Sequence, residues 1–191
     1  MDIKKVGVLV GVIAVLSTGL IWAAGQGEES KAFQEQRKAN LKAHHAEQQA
    51  ENKAFRESLK GKSAEEKKAA IKAHHETQRN ENKAFNEQMH QDNTAFLKER
   101  LARNKKLTDA EKNELITFFE NQHQENVSFR DQRYSDRVAF FEKIANDRSM
   151  TKEQKKAAIK AYIEEQKAKR KEYQEQQKAE SKAEREKIKS D

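Results

Sequence analysis

The stretch "SAEEKKAAIKAHHETQ" (Ser63–Gln78) decides the fold, because it returns as "TKEQKKAAIKAYIEEQ" (Thr151–Gln166). The letters KKAAIKA are identical in the two copies. Both copies are rich in Ala, Lys, Glu and Gln, which have high helix propensity. A repeated helix-forming segment predicts a chain assembled from copies of one helical unit.

A third copy lies between these two. The alignment of Gln78, Gln122 and Gln166 gives a constant 44-residue spacing. A shortened copy, Leu41–Phe55, precedes its closest match, Ile71–Phe85. We therefore interpret residues 26–191 as one helical repeat domain. Equivalent positions hold His74, Phe118 and Tyr162, and then Phe85, Phe129 and Tyr173.

The composition favours helices throughout this domain. The chain has no Pro and no Cys, 37% of its residues are charged, and only Gly61 follows residue 27 among its six glycines. Such a sequence has almost no turn chemistry. Its low hydrophobicity and high charge are also typical of disorder, but the repeats favour a folded structure. We predict an all-α fold of long antiparallel helices, in helical hairpins, a cradle or an elongated bundle, without β-sheet.

Three capping boxes predict where helices begin. Ser63 with Glu66, Thr108 with Glu111, and Thr151 with Gln154 each have the spacing in which both side chains bond to the other residue's backbone N–H. Residues that tolerate turns precede each box: Gly61, Asn104 and Asn146–Asp147. The predicted helices are about 28–60, 63–103, 108–146 and 151–189.

One pattern supports fewer turns. An apolar residue recurs at every eleventh position from Phe85 to Phe140, across the positions of the second turn. Eleven residues make three helical turns, so this spacing is typical of one continuous helix. The three matching caps nevertheless favour helices that fold back.

The phenylalanines either form a seam between helices or bind client proteins. Their hendecad spacing favours the seam. Polar residues such as Gln122, Asn126 and Arg133 interrupt the apolar stripe, so the helices bury little apolar area. We expect a homodimer or higher oligomer with partly exposed rings. The candidate client-binding residues are Phe33, Phe55, Phe85, Phe96, Phe118, Phe129 and Phe140.

Residues 1–25 differ from the rest. A basic start, the apolar run Val6–Ala24 and small residues after it are typical of a secretory signal peptide. The run is also long enough for an N-terminal membrane anchor. Either case predicts a periplasmic protein, soluble after signal cleavage or anchored to the inner membrane. A net charge of +7 then predicts unfolded or acidic envelope proteins as partners, and no nucleic acid.

Three segments resemble a known family. They are "LTDAEK" (Leu107–Lys112), "MTKEQKK" (Met150–Lys156) and "EQRKANLKAHHAEQ" (Glu35–Gln48). The first two are similar to the LTxxQ motif of the Spy/CpxP family of periplasmic proteins, although Glu111 replaces the Gln and Met150 replaces a Leu. The resemblance implies a cradle-shaped helical dimer that acts as an ATP-independent, envelope-stress chaperone. A membrane-tethered coiled-coil spacer is the structural alternative.

The histidine pairs raise a third function, a metal-binding envelope stress sensor, since imidazole binds zinc and nickel. The candidate ligands are His44, His45, His74 and His75. Neighbouring residues on a helix point about 100° apart, so one pair cannot close a site. The repeat places these histidines where other copies hold Phe or Tyr, and we interpret them as packing residues. We predict no metal and no cofactor, and, because phosphate-loop and nucleophile motifs are absent, no enzyme activity.

Overall fold

A computed structural model describes residues 27–190, and within that range it contains helices and turns but no strand. The all-α prediction is therefore confirmed. Each helix begins and ends within two residues of its predicted bounds. The predicted signal peptide or anchor, residues 1–25, lies outside the described residues. The helices are α1 (Glu28–Ser58), α2 (Ala64–Arg103), α3 (Asp109–Asn146) and α4 (Lys152–Ser190).

All three predicted capping boxes form. At the start of α3, Thr108 N–H donates to Glu111 Oε2 (2.5 Å) and Glu111 N–H donates to Thr108 Oγ1 (3.3 Å). Ser63 and Glu66 make the same reciprocal pair before α2, at 2.8 and 3.3 Å. Thr151 and Gln154 do so before α4, at 2.8 and 3.2 Å. Each box satisfies backbone donors that the first helical turn leaves open.

The helix ends use two kinds of turn. Gly61 has φ +77°, the only positive φ among the described residues, and this left-handed conformation suits glycine. Asn104 and Asp147 work through their side chains: Asn104 Oδ1 accepts from Lys106 N–H and Asp147 Oδ1 from Ser149 N–H, both at 2.8 Å. Such side-chain turns stop a helix without a glycine. The hendecad stripe consequently continues in sequence across a turn that breaks the helix.

The described chain divides into two compact units, residues 27–95 and 96–190. The first holds α1 and most of α2, which form an antiparallel pair that we call hairpin 1. The second holds the end of α2 together with α3 and α4, and the antiparallel pair α3–α4 is called hairpin 2. None of the helices within residues 27–190 is long and apolar enough to cross a membrane.

Only the second unit, among the described residues, has a cluster of buried apolar side chains. Leu97 and Leu101 from the end of α2 meet Leu115 and Phe119 from the start of α3, and all four are at most 5% exposed. Ile188 of α4 packs against this cluster. Burying such side chains stabilises a fold by about 1.5–3 kcal/mol each. Three helix segments thus share a small hydrophobic core.

In the first unit, by contrast, most buried side chains are polar. Leu59 and Met89 are its only buried apolar residues in the described range. The sparse stripe therefore has the consequence that the sequence predicts: little apolar area is buried along hairpin 1. Its buried polar residues are Ser30, Arg37, Gln48, Gln78, His90 and Asn93.

Candidate functional site: the seams of two helical hairpins

Hairpin 1 is held by two stacked ring pairs, which we call rungs. His44 of α1 stacks on Phe85 of α2 with ring centroids 4.0 Å apart and planes 8° from parallel. Phe55 of α1 stacks on His74 of α2 at 3.9 Å and 16°. On each helix the two rung positions are one hendecad apart, which is three helical turns. Rings in such contact contribute about 0.5–1.5 kcal/mol beyond their buried area.

An asparagine from the opposite helix fixes each histidine ring. Asn82 Oδ1 lies 3.1 Å from His44 Nε2, and Asn52 Oδ1 lies 3.1 Å from His74 Nε2. The Nδ2 groups of Asn82 and Asn52 donate to backbone carbonyls one turn earlier on their own helices, at 2.6 and 2.7 Å. Because the amide nitrogen is already used as a donor, Oδ1 faces the ring. Each histidine therefore donates its Nε2–H to the asparagine.

Two glutamines occupy the middle of hairpin 1. Gln48 and Gln78 are 5% and 2% exposed, and each lies four residues after a rung histidine. Within residues 27–190, neither amide atom of the Gln78 side chain has a hydrogen-bond partner, and neither does Gln48 Nε2. A buried polar atom without a partner costs about 1–3 kcal/mol. The centre of this seam is thus destabilised by its own side chains.

Hairpin 2 repeats the rungs with other rings. Phe129 stacks on Tyr173 at 3.9 Å and 11°, and Phe140 stacks on Tyr162 at 4.0 Å and 6°. Phe141 adds an edge contact to Tyr162 at 6.3 Å. The rung positions are again one hendecad apart on both helices. Tyrosine and phenylalanine thus stand where hairpin 1 uses histidine, which confirms that the rung histidines occupy packing positions.

The buried amides of hairpin 2 have partners. Gln122 Nε2 donates to Glu180 Oε2 at 2.7 Å, and Gln177 Nε2 donates to Glu125 Oε2 at 2.8 Å. Asn126 Nδ2 donates to the Gln122 carbonyl at 2.7 Å. Hydrogen bonds to carboxylates are stronger than neutral ones. The bonds to Glu180 and Glu125 tie α3 to α4. Within residues 27–190, by contrast, the side-chain nitrogens of Gln48 and Gln78 in hairpin 1 have no partner.

In hairpin 2, Arg133 occupies the middle of the seam, between the two rungs. Arg133 Nε donates to Gln166 Oε1 across the seam at 3.2 Å, and its guanidinium carbon lies 5.7 Å from the centre of the Phe129 ring. Burial lowers the pKa of Arg133, and the nearby charges of Arg170 and Arg137 lower it further. Burial also raises the pKa of Tyr162, with a further contribution from Asp136.

The tyrosine hydroxyls of the two rungs in hairpin 2 are buried as well. In the part of the chain that the structure describes, neither Tyr162 nor Tyr173 has a hydrogen-bond partner for its hydroxyl. Burial raises the pKa of Tyr173 to about 12, and the carboxylates of Glu125 and Glu180 add to this rise. A phenol in that setting stays protonated well above its ordinary range.

The candidate phenylalanines are all half-buried. Four of them form rungs, as the seam interpretation predicts, and Phe118 packs against the apolar core of the second unit. In the described range the one exposed large apolar side chain is Val138, at 37%. The rung phenylalanines are Phe55, Phe85, Phe129 and Phe140.

The two histidines of each pair have different surroundings in the structure. His44 and His74 are engaged in the rungs, while His45 is exposed and His75 is half-buried. Residues 27–190 contain no group of three or more His, Cys, Asp or Glu side chains placed to hold a metal ion. Each rung histidine uses one ring nitrogen on asparagine and the ring face on phenylalanine.

Sequence reasoning missed the polar half of both seams. It treated Gln122, Asn126 and Arg133 as gaps in an apolar stripe, whereas all three lie in the seam of hairpin 2. The available signal was a recurring Gln-x-x-x-Asn-x-x-Phe spacing. Each time, the asparagine donates to the glutamine's own carbonyl. The pattern occurs at 48–55, 78–85 and 122–129.

Comparison with known proteins adds no assignment: no family model, curated protein or solved structure matches the chain.

Proposed function

We propose that this chain is an exported, ATP-independent chaperone of the Spy/CpxP type, which holds unfolded or acidic proteins of the envelope. The observation that supports this proposal best is the weak seam of hairpin 1. Its rung rings are half-buried, and its central glutamines have amide atoms without partners in the described range. A seam of this kind separates at low cost, and its rings then become available to another chain.

The surroundings of the hairpin 1 rings suit capture of an unfolded client. Lys53 and Arg56 flank Phe55 on α1, and both are exposed. Positive charge near an apolar ring attracts an acidic segment first and leaves the ring to bind its apolar side chains. Opening therefore offers phenylalanine and cationic groups together, without a nucleotide.

An aggregation assay tests this function. The chain from residue 26 onward, at equimolar ratio to a heat-labile client, should suppress light scattering in the absence of ATP. Phe55→Ala with Phe85→Ala should abolish most of the suppression. The matched control is Phe129→Ala with Phe140→Ala, which removes the same number of rungs from hairpin 2 and should retain it. No suppression by the unchanged chain would refute the proposal.

A second pair of substitutions separates an opening seam from a static surface. Gln48→Leu with Gln78→Leu fills the centre of hairpin 1 with apolar contacts and should close it. If clients bind the opened seam, this variant suppresses aggregation less than the unchanged chain while melting at a higher temperature. If the outer face alone binds clients, suppression is unaffected and the opening mechanism is wrong.

A membrane-tethered spacer is the second candidate. The long, capped helices and the constant hendecad spacing of the rungs favour it, because regular seams keep helices in register. The tether would be Val6–Ala24, outside the described residues. A chain that fails to suppress aggregation, yet stays at the membrane after high-salt and carbonate washing, would support the spacer over the chaperone.

A further inference from the structure

The middle of the hairpin 2 seam collects cationic groups from both helices. Arg133 contacts Gln166 directly across the seam. Arg137 follows Arg133 by one helical turn, and Arg170 follows Gln166 by one turn. Because residues four apart share a helix face, the three guanidinium groups line one stretch of seam between the two rungs. Each of these arginines is half-buried.

The contacts of Arg133 and Arg137 are to an amide and to aromatic rings. Within residues 27–190, Arg133 bonds to an amide and lies against the Phe129 ring, and the Arg137 guanidinium lies 5.4 Å from the centre of the Tyr134 ring. Two acids in this stretch of α3 and α4, Asp136 and Glu165, have other partners. Asp136 accepts from Gln132 Nε2 at 2.7 Å, and Glu165 pairs with Lys169 at 2.7 Å.

The contrast with hairpin 1 shows that these charges are unnecessary for the seam itself. When positions are counted from the rungs, Asn52 of hairpin 1 corresponds to Arg137, and Asn82 corresponds to Arg170. Both asparagines are neutral and hydrogen-bond to the rung histidines. Asparagines thus suffice to bridge helices in this geometry. Three like charges held close together repel one another, which costs electrostatic energy. The pKa of Arg133 is lowered first by burial and then by the charges of Arg170 and Arg137.

A donor without a partner lies beside the arginines. Among the described residues, the buried hydroxyl of Tyr162 has no hydrogen bond, and it is close enough to Arg133 and Arg137 for their charges to act on its pKa. Guanidinium groups bind phosphate oxygens in paired hydrogen bonds, and a phenol adds one further donor. A dianion would also relieve the repulsion among the three cations.

We propose that Arg133, Arg137 and Arg170, with the Tyr162 hydroxyl, form a binding site for a phosphate group, which bridges α3 and α4 in hairpin 2. A carboxylate has one negative charge and two oxygens, so it accepts hydrogen bonds from fewer of these donors than a phosphate does. The site does not depend on the proposed chaperone function, because it lies in the other hairpin.

Inorganic phosphate is the probe for the test. The chain from residue 26 onward is titrated by calorimetry at constant ionic strength, with sodium chloride as the reference salt. Phosphate should bind and raise the melting temperature more than chloride does. Arg133→Gln and Arg170→Gln should each weaken phosphate binding about tenfold, the loss of one charge-assisted hydrogen bond. Arg148→Gln, an exposed residue in the α3–α4 turn, makes the same charge change and should leave binding unaltered.

The outcomes distinguish a specific phosphate site from general screening of positive charge by anions. Equal effects of phosphate and chloride, or equal weakening by Arg133→Gln, Arg170→Gln and Arg148→Gln, would overturn the proposal. If Arg133→Gln fails to fold, Arg137→Gln with Arg170→Gln decides, because the direct hydrogen bond from Arg133 to Gln166 remains in that variant.

A vesicle arm identifies the source of the phosphate group. Vesicles of phosphatidylcholine with phosphatidic acid present the same phosphomonoester on a surface, and vesicles of phosphatidylcholine alone serve as the blank. Arginine-dependent binding to free phosphate, to the phosphatidic acid vesicles or to both supports the site and names its source. Binding to neither overturns it.

Discussion

Hairpin 1 carries two histidines in its rungs, whereas hairpin 2 carries phenylalanine or tyrosine at each corresponding position. The rung spacing is the same, but the polar layers differ. Hairpin 2 ties its buried amides to carboxylates, and hairpin 1 leaves amide atoms of Gln48 and Gln78 without partners in the described range. One backbone frame therefore supports a pair of helices whose buried amides are hydrogen-bonded and a pair whose central amides are not. The latter pair is the part that we propose opens for clients.

The largest difference in stability between hairpin 1 and the second unit should come from the apolar core. Phe119→Ala in the second unit should cost about 3–5 kcal/mol of unfolding free energy, since the side chain is 2% exposed. Phe85→Ala in hairpin 1 should cost about 2 kcal/mol, since that ring is half-buried and loses one stack. Urea unfolding of the full chain measures both. Equal costs would show that hairpin 1 is as well packed as the second unit.

The buried amides should respond in opposite directions. Gln78→Leu should raise the unfolding free energy by about 1–2 kcal/mol, because it removes polar atoms that lack partners within residues 27–190. Gln122→Leu should lower it by about 1 kcal/mol, because the hydrogen bond from Gln122 to Glu180 across the seam is lost. Amide hydrogen exchange, read separately for each hairpin, locates the change. A loss of stability in Gln78→Leu would contradict the contrast between the two seams.

Alkaline pH should weaken hairpin 2 alone among the hairpins. All three tyrosines lie in the second unit, and the pKa of Tyr173 is raised from 10.0 to about 12. A raised folded-state pKa stabilises the fold below the unfolded value, and this contribution disappears as the pH rises from about 10 to about 12. Hydrogen exchange should therefore accelerate in α4 over that range. Tyr173→Phe is the control, and an identical alkaline loss in that variant would exclude the phenol as the cause.

The smallest predicted effect is the loss of helix capping at acidic pH. Hydrogen bonds from the Ser63 hydroxyl and backbone lower the pKa of Glu66 below its ordinary 4.5. A lowered folded-state pKa stabilises the fold above the unfolded value, and this stabilisation is lost as the pH falls through the folded value. The cap of α4 uses Gln154, which does not titrate. Fraying in acid should therefore be greater at the start of α2 than at the start of α4, as nuclear magnetic resonance of the cap amides can show. Glu66→Gln should remove the difference.

Local chemistry made much of the fold predictable. The capping pairs, such as Thr108 with Glu111, act between residues three apart and need no knowledge of the rest of the chain. The turn residues Gly61, Asn104 and Asp147 likewise act on their own neighbours. The hendecad pattern contained three of the four rung phenylalanines, Phe85, Phe129 and Phe140, because three full helical turns keep such positions on one face of a helix. Phe55 lies outside that pattern.

Periodicity alone could not decide which residues of opposite helices meet. His74 and Tyr162 are equivalent in the repeat, and both stack on phenylalanine. Both turns span five residues, but Phe55 lies three residues before the end of α1 and Phe140 lies six residues before the end of α3. The same register decides that the Gln78 amide is buried without a partner in the described range, while a glutamine of hairpin 2 reaches a carboxylate.

The amino-acid sequence by itself determined where helices begin and end and which face of each is apolar, because those properties depend on contacts within a few residues. The tertiary structure decided which rings stack, which amides are satisfied and where the arginines gather. These depend on the register between antiparallel helices, which a shift of a single turn would change without altering any local signal.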